Sequence, residues 1–220
     1  MKGFNIAVIR VVSFNNNSKS KYKHQKIIED YFPQNKFSTY SIANQKNGIY
    51  DVKTHQESIP KIIELAKEIE NNHDGILISC AADPAVLELR NIINIPVSGA
   101  GRPAALISLN IADDIAVLGM GDMELDSIKD VLDNKITEYH LLNNIKNTNE
   151  LNTAKGKKEV IEAAKLLSNK ASVIILACTG MSTIKVANNI RRYLEIPVID
   201  PLISGALFLQ AELMSKSIGG

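Results

Sequence analysis

Tryptophan is absent from this 220-residue sequence, and aromatic residues make up only 5% of it. Proteins that hold single-stranded nucleic acids stack the bases on aromatic side chains, so the composition argues against that class. An excess of one charge is also lacking, because 25 basic residues stand against 24 acidic ones and leave a net charge of +1. No nucleic-acid or anionic-membrane partner is therefore expected.

Long apolar runs are missing as well. No uninterrupted apolar segment approaches the ~20 residues that a transmembrane helix needs. Residues 1–5 lead straight into a strand-like run, without the layout of a signal peptide. Because 45% of the residues are hydrophobic, the chain can still bury a sizeable core. The sequence predicts a soluble, cytoplasmic protein.

Cysteine is scarce, with only Cys80 and Cys178 in the whole sequence. Two reduced thiols in a cytosolic protein are favoured over a disulfide. Each cysteine ends an apolar run, ILIS in one case and IILA in the other. The two runs open matching stretches, residues 76–104 and 173–206, and both stretches continue with turn residues, a helical pattern and the tripeptide Ile-Pro-Val. The repeat indicates an internal duplication.

Strand-like and helical segments alternate four times in each half of the sequence. Such alternation is typical of parallel sheets covered by helices on both faces. We therefore predict an α/β fold with two pseudo-symmetric three-layer α/β/α domains, parallel sheets and an interdomain cleft. The last helix, from about Ile203 to Met214, is expected to pack back on the first half. The predicted domains are residues 1–102 plus 201–220, and residues 103–200.

Local signals predict the bounds of several helices. A helix is predicted from Ser58 to Asn71, and the residues before it, 43–57, form a long loop that is either a mobile lid or disordered. Asp83 as N-cap and Pro84 as first helical residue predict a helix directly after the first cysteine. Later helices are predicted at residues 103–112, 123–133, 155–167 and 183–194.

The histidines give no sign of a metal site, because His24, His55, His73 and His140 are scattered along the chain. His24 and His73 fall on predicted polar faces or caps, where a solvated side chain is expected. The turn at residues 99–104 resembles part of a dinucleotide fingerprint but lacks its third glycine, so nucleotide binding is not favoured. No metal or cofactor is predicted.

Both cysteines are predicted beyond the carboxyl ends of strands, where open α/β sheets bind ligands. The free N–H groups of a following helix start favour a thiolate and can hold an anionic oxygen. If the halves face each other, one thiolate can remove a proton from carbon while the other thiol returns one to the opposite face. Buried structural cysteines are the alternative, since cysteine is often a core residue. The matched placement of Cys80 and Cys178 favours the chemical role.

The motifs around the cysteines resemble those of the cofactor-independent aspartate/glutamate/hydantoin racemase superfamily, in particular its hydantoin-racemase-like branch. The matching motifs are Ser79-Cys80-Ala81-Ala82-Asp83-Pro84, Ala177-Cys178-Thr179-Gly180-Met181 and Pro197-Val198-Ile199-Asp200. The resemblance covers most of the chain and implies that Cys80 and Cys178 are an acid–base pair that works without a cofactor. The residues expected to contact the substrate are Arg10, Ser13, Ala81, Ala82, Asp83, Ser98, Thr179, Gly180 and Met181.

Departures from the family pattern narrow the range of possible substrates. Hydantoin racemases usually carry a Pro-Asn-Thr-like step after the first strand, whereas this chain has Ser13 to supply a hydroxyl and Arg10 to meet an anion. The polar Asn-Thr and Thr-His steps that follow the cysteines of glutamate racemases are missing, which argues against glutamate. Related decarboxylases keep one cysteine, so the pair favours a racemase or epimerase. Its substrate would be a 5-substituted hydantoin or an amino acid such as aspartate.

Two alternatives stay open at this point. One is an isomerase or lyase of the same superfamily that acts on a small dicarboxylic acid, with Arg10, Ser13, Ser98 and Arg102 as the only candidate anchors. The other is a non-enzymatic protein that binds a small molecule and has structural cysteines. In each case a homo-oligomer is expected, as a dimer or a higher even-numbered assembly.

Overall fold

The computed structural model describes residues 3–14 and 18–217, and strands and helices alternate through both halves of the chain. The first half contains β1 (Asn5–Arg10), α1 (Lys23–Tyr31), β2 (Lys36–Ser41), α2 (Val52–Ile69), β3 (Gly75–Ser79), α3 (Val86–Ile92), β4 (Val97–Ser98) and α4 (Gly101–Leu109). The second half contains β5 (Ile115–Met120), α5 (Asp126–Leu132), β6 (Ile136–Leu142), α6 (Thr148–Leu151), α7 (Ala154–Leu167), β7 (Val173–Leu176), α8 (Thr179–Thr183), α9 (Val186–Tyr193), β8 (Val198–Ile199) and α10 (Pro201–Ser217).

The strands form two four-stranded parallel sheets with the orders β2-β1-β3-β4 and β6-β5-β7-β8. The two orders are the same when the strands of each half are counted from its beginning. The inner strands β1, β3, β5 and β7 are largely aliphatic and almost wholly buried. Continuous apolar strands of this kind are typical of parallel sheets that are covered on both faces. The predicted α/β fold with two similar halves is confirmed.

Two helices pack across from one half to the other. Ala104 of α4 lies in an apolar cluster with Ile115 of β5, in the second sheet. Leu209 of α10 lies in a cluster with Leu77 of β3, in the first sheet. Gly205 permits the close approach of α10, because a Cβ atom there would overlap a backbone carbonyl of the turn after β4. Each sheet is thus covered partly by a helix that follows the other sheet in the sequence.

Helix α2 begins at Val52, earlier than the predicted Ser58. Asp51 is its N-cap, since the carboxylate accepts a hydrogen bond from the Thr54 backbone N–H at 2.7 Å and the Thr54 hydroxyl accepts one from the Asp51 N–H at 3.2 Å. This is a capping box with threonine in the place of the usual glutamate or glutamine. The long loop predicted before α2 is therefore reduced to residues 42–51.

Asp83 caps a different helix from the one predicted. Helix α3 begins at Val86 and not at Pro84, because Asp83 and Ala85 have left-handed φ angles of 49° and 62°. The Asp83 carboxylate instead accepts hydrogen bonds of 2.6 to 2.8 Å from three successive backbone N–H groups, those of residues 100–102 at the start of α4. It satisfies donors that a helix N-terminus leaves without intrahelical partners.

Two other helices also differ from their predicted bounds. Helix α5 begins at Asp126, which leaves residues 121–125 as an irregular segment after β5. The helix predicted at residues 183–194 is split near Lys185, whose φ of 53° is left-handed, and the first piece, α8, follows Cys178 directly. Both differences place irregular backbone and helix-start N–H groups at the carboxyl edge of the second sheet.

The position of Asp83 leads to a prediction about stability. Replacing Asp83 with alanine leaves three N–H groups at the start of α4 without an acceptor, and we expect the free energy of unfolding to fall by about 2 kcal/mol. Asp83→Asn should cost less, because the amide oxygen still accepts. Urea denaturation followed by circular dichroism measures both values.

Asp113 provides the matched control for this measurement. Its carboxylate is exposed and pairs with Lys135 at 2.8 Å on the surface. Exposed ion pairs contribute little to stability. Asp113→Ala should therefore leave the unfolding midpoint nearly unchanged, and an equal loss in Asp83→Ala and Asp113→Ala would contradict the capping role.

Candidate active site

Both cysteines line one cavity at the carboxyl edges of the two sheets. Cys80 directly follows β3, and Cys178 follows β7 after one residue. Both are free thiols, as predicted. The cavity has a volume of about 40 Å³. Its lining comprises Arg10, Val11, Val12, His24, Ile49, Tyr50, Ser79, Cys80, Ala81, Ala82, Met120, Met123, Leu125, Thr148, Ala177, Cys178, Thr179 and Gly180.

The thiol of Cys80 is buried in the first half of the site. Burial raises its pKa well above the ordinary value for cysteine, and the backbone N–H of Ala82 acts in the opposite direction. The negative charges of Cys178 and Asp83 raise the pKa further. At neutral pH, Cys80 is therefore held in the protonated form, the form that can donate a proton.

Cys178 is the N-cap of α8, and the backbone N–H of Gly180 lies 3.3 Å from its Sγ atom. Burial raises the pKa of this thiol too. Four groups act against burial and lower the pKa: the N–H groups of Gly180 and Met181, the charge of Arg10 and the hydroxyl of Thr148. Of the two sulfurs in the cavity, this one has more partners that stabilise a thiolate.

Gly180 allows α6 to approach the second thiol. A Cβ atom on Gly180 would lie 2.8 Å from Cγ2 of Thr148, 3.0 Å from Cδ1 of Leu151 and 3.2 Å from Sγ of Cys178. A side chain at this position would push α6 away from the sulfur, because contacts this short are not tolerated between carbon atoms. The glycine is therefore required by close packing.

Arg10 brings a positive charge into the site although its side chain is only 5% exposed. Its Nη1 atom donates hydrogen bonds to the backbone carbonyls of Ser20 and Lys21, at 3.3 and 3.1 Å, and its guanidinium lies 5.0 Å from the centre of the Phe14 ring. Burial lowers its pKa to about 10, and the negative charge of Cys178 opposes that change. A thiolate at Cys178 would be stabilised by this buried cation.

The prediction of solvated side chains at His73 and His24 is wrong, because both are buried. His24 lines the cavity and is only 1% exposed. Its Nδ1 lies 2.6 Å from the Ser79 hydroxyl, and its Nε2 lies 2.7 Å from the Thr183 hydroxyl. The sequence signal for the burial of His24 is its spacing from Ile28, one helical turn away. His24 and Ile28 are the two buried residues of α1.

Three irregular segments lie over the cavity on the side away from the sheets, and together they are called the cover. They are residues 42–51 of the first half and residues 120–125 and 143–151 of the second. The Asp122 N–H donates to the Tyr50 carbonyl at 2.9 Å, and the Asn149 side chain donates to the Lys46 carbonyl at 3.3 Å. At about 40 Å³, the cavity is far smaller than the roughly 300 Å³ or more that small-ligand pockets commonly have.

Comparison with known proteins now identifies the family. A model of the Asp/Glu/hydantoin racemase family matches residues 12–208. The chain belongs to this family. As predicted from its cysteine motifs, the protein is a racemase-type isomerase. No match is found among curated protein sequences.

Solved structures of racemases share the fold at low sequence identity. Allantoin racemase from Klebsiella pneumoniae has a TM-score of 0.84 at 17% identity, covering 96% of this chain and 88% of that one. Allantoin racemase from Pseudomonas fluorescens has a TM-score of 0.83 at 15% identity, covering 96% and 92%. Glutamate racemase from Bacillus anthracis has a TM-score of 0.74 at 16% identity, covering 99% and 84%.

The structure of this racemase-family protein brings seven of the predicted site residues to the cavity: Arg10, Cys80, Ala81, Ala82, Cys178, Thr179 and Gly180. Four others do not line it. Ser13 bonds to Ile42 and to the Gln45 N–H within the cover, and the Asp83 carboxylate caps α4. The Ser98 hydroxyl donates to a neighbouring carbonyl, and Met181 is a core residue that reaches the site only through its N–H.

Several lining residues were missed by the sequence analysis: His24, Ile49, Tyr50, Met120, Met123, Leu125 and Thr148. Six of these belong to the cover, whose segments meet only in the folded protein. Among residues 3–14 and 18–217, no group of three His, Cys, Asp or Glu side chains is arranged to hold a metal ion. Over the same part of the chain, no helix has both the length and the apolar character needed to cross a membrane.

The electrostatic effect of Arg10 on Cys178 predicts how the thiols react. In the wild-type protein, iodoacetamide should modify Cys178 faster than Cys80, because the thiolate is the reactive form. Arg10→Met removes a positive charge and so raises the pKa of Cys178. We expect slower modification of Cys178 at a given pH below its pKa, and a shift of its rate profile to higher pH. Peptide mass spectrometry between pH 6 and 10 measures both cysteines.

Arg90 supplies the control for this comparison. Its guanidinium also donates to a backbone carbonyl, that of Val97, but it does not line the cavity. Arg90→Met should leave the Cys178 profile where it is in the wild type. Equal profiles for Arg10→Met and the wild type would show that Arg10 does not act on the thiol.

Proposed function

We propose that the protein is a cofactor-independent racemase or epimerase that uses two thiols, Cys80 and Cys178, as its acid and base. The observation that carries the proposal is that both thiols line one cavity, each at the carboxyl end of a central strand in one of two similar halves. Two sulfurs from opposite halves can approach opposite faces of one carbon. Inversion of a stereocentre needs that arrangement.

The substrate carries an acidic C–H next to a carbonyl group. In one direction, the Cys178 thiolate takes the proton, the electron pair of the C–H bond delocalises onto the carbonyl oxygen, and the Cys80 thiol protonates the other face of the carbon. The enzyme then holds a Cys178 thiol and a Cys80 thiolate, which is the form that accepts the opposite enantiomer. Arg10 supports the resting form, because its charge lowers the pKa of Cys178.

The lining of the cavity favours an uncharged substrate. Apart from the thiols, Arg10 and His24, it consists of aliphatic, methionine, tyrosine, serine and threonine side chains and one glycine. Arg10 already donates to two backbone carbonyls, and its charge acts on Cys178, so it offers little to a substrate carboxylate. Burying an unpaired carboxylate and ammonium here would be costly. A neutral ring such as a 5-substituted hydantoin fits this chemistry better than a free amino acid.

Similarity to allantoin racemases supports the same substrate class, since allantoin is itself a 5-substituted hydantoin. The alternative of a small dicarboxylic acid is weaker. Of its four candidate anchors, Arg10, Ser13, Ser98 and Arg102, only Arg10 lines the cavity. A 5-substituted hydantoin is therefore the proposed substrate, with allantoin as the first compound to assay.

Removing either thiol should abolish inversion. For Cys80→Ala and Cys178→Ala we expect turnover to fall by at least ~1,000-fold, because each proton transfer loses its acid or its base. In deuterated water, the variant that keeps the base for a given enantiomer should still exchange the α-proton of that enantiomer without inverting it. Polarimetry and proton NMR follow the two processes. A single variant with wild-type turnover would rule out the two-thiol mechanism.

A substrate panel tests the preference for neutral rings. We expect turnover of allantoin or of 5-alkylhydantoins and none of aspartate, glutamate or small dicarboxylic acids, because the cavity offers no free cation for a carboxylate. Loss of optical rotation and deuterium uptake are measured for each compound. Turnover of aspartate at a comparable rate would move the substrate from hydantoins to amino acids, and cis–trans isomerisation of a dicarboxylic acid would favour the alternative.

A further inference from the structure

His24 connects the two segments that carry the thiols. Its Nδ1 lies 2.6 Å from the hydroxyl of Ser79, the residue immediately before Cys80. Its Nε2 lies 2.7 Å from the hydroxyl of Thr183, the last residue of α8, which begins directly after Cys178. A single side chain from α1 thus joins the end of β3 in the first half to α8 in the second.

A second hydrogen bond runs beside this connection. The Thr179 hydroxyl donates to the backbone carbonyl of Ser79 at 3.1 Å, so the residue before one cysteine is bonded to the residue after the other. The Ser79 backbone is also fixed from the side, because β3 pairs with β1 through Ser79 and Arg10. The bonds of His24 to Ser79 and Thr183 join side chain to side chain, so substitution at either end removes them without changing the backbone.

The imidazole of His24 is neutral. Burial lowers its pKa well below the ordinary value, and the neighbouring charge of Arg10 lowers it further. A neutral imidazole has one N–H donor and one acceptor nitrogen, and a hydroxyl group can fill either role. Both ring nitrogens are therefore used by Ser79 and Thr183, which leaves neither nitrogen free for a substrate.

We propose that His24 is a positioning residue, which holds the Cys80 and Cys178 segments at the spacing that proton transfer to opposite faces of one carbon requires. The proposal rests on the two-thiol function proposed above. Proton transfer depends steeply on geometry, and a displacement of about 1 Å can cost on the order of 100-fold in rate. Cutting the link should therefore impair the transfer that needs both thiols more than the step that needs one.

Deuterium wash-in separates these two effects. One enantiomer of allantoin, or of the hydantoin that wild type turns over fastest, is incubated in deuterated water. With both thiols in place, deuterium enters mainly the inverted product. When the second thiol is misplaced, the first thiol exchanges its proton with solvent and returns deuterium to the same face. The measured ratio is deuterium in the unreacted enantiomer divided by inverted product.

Five variants are compared with the wild type: His24→Leu, His24→Gln, Ser79→Ala, Thr183→Val and His73→Leu. Leucine keeps volume but has no polar atom, whereas glutamine keeps one donor and one acceptor. Ser79→Ala and Thr183→Val each cut one of the two bonds. His73 is the matched control, because it is also a buried histidine with two hydrogen-bonded nitrogens but does not line the cavity.

We expect His24→Leu to lower kcat for inversion by about 30-fold, with KM within about threefold, and to raise the wash-in ratio. His24→Gln should recover part of the loss. Ser79→Ala and Thr183→Val should each give a smaller loss, and neither should add to His24→Leu, since both act through the same link. His73→Leu should leave kcat and the ratio at wild-type values even if it lowers the unfolding midpoint.

Three results would overturn the positioning role while the wild type remains active. They are an unchanged kcat in His24→Leu, a lowered kcat with an unchanged wash-in ratio, and an equal effect of His73→Leu on the ratio. A wild type that is silent across the substrate panel is a different outcome, because it removes the proposed function and the role of His24 together.

Discussion

The burial of two thiols, full for Cys80 and partial for Cys178, is the constraint on which the rest of the site depends. Both sulfurs lie in a cavity of about 40 Å³, and burial is the largest influence on the pKa of each. A thiolate in such a place needs compensation from nearby dipoles and charges. The helix-start N–H groups of Gly180 and Met181 and the guanidinium of Arg10 provide it on one side. These groups explain why the second cysteine opens a helix and why an arginine is buried at the end of β1.

The two halves have the same strand order, but their thiols have different surroundings. Arg10 acts on Cys178, whereas the charge of Asp83 raises the pKa of Cys80. Two enantiomers have equal free energies in water, so the ratio kcat/KM must be the same in both directions for a simple racemisation. The asymmetry can therefore give the two directions different values of kcat and of KM, while kcat/KM stays the same in both. Duplication supplies two thiols, and the departures from symmetry stabilise a thiolate at Cys178 more than at Cys80.

The sequence was sufficient for those features that depend on local pattern. The apolar runs that end at Cys80 and Cys178 are each followed by turn residues, a helical pattern and Ile-Pro-Val. This repeat predicted the parallel sheets and the placement of both thiols at strand ends. The helix starts were less accurate, because the left-handed residues Asp83, Ala85 and Lys185 change the backbone direction where propensity alone predicts a continuous helix. Local capping signals also do not say which helix a side chain will cap.

The remaining parts of the site depend on contacts between distant segments. Asp83 is of a residue type that often caps the helix directly after it, yet its carboxylate caps the N-terminus of α4. His24 lies on a helix with many polar residues, and only packing against Ser79 and Thr183 explains why it is buried. The cover brings together Tyr50 and Thr148, from segments without strong periodicity. Pairings of this kind are set by tertiary structure and leave little trace in a single sequence.

The small size of the cavity connects the cover with the chemistry of the thiols. In the proposed reaction, the cover is displaced to admit a substrate, and the thiols then meet water. Hydration favours the thiolate, so the base can form before closure. Closing the cover over a neutral ring then removes water from that thiolate and raises its affinity for a proton, next to an acidic C–H. A charged substrate would lose this advantage, because its own desolvation would oppose closure. The proposed preference for a neutral ring and the largely apolar lining thus follow from the same requirement.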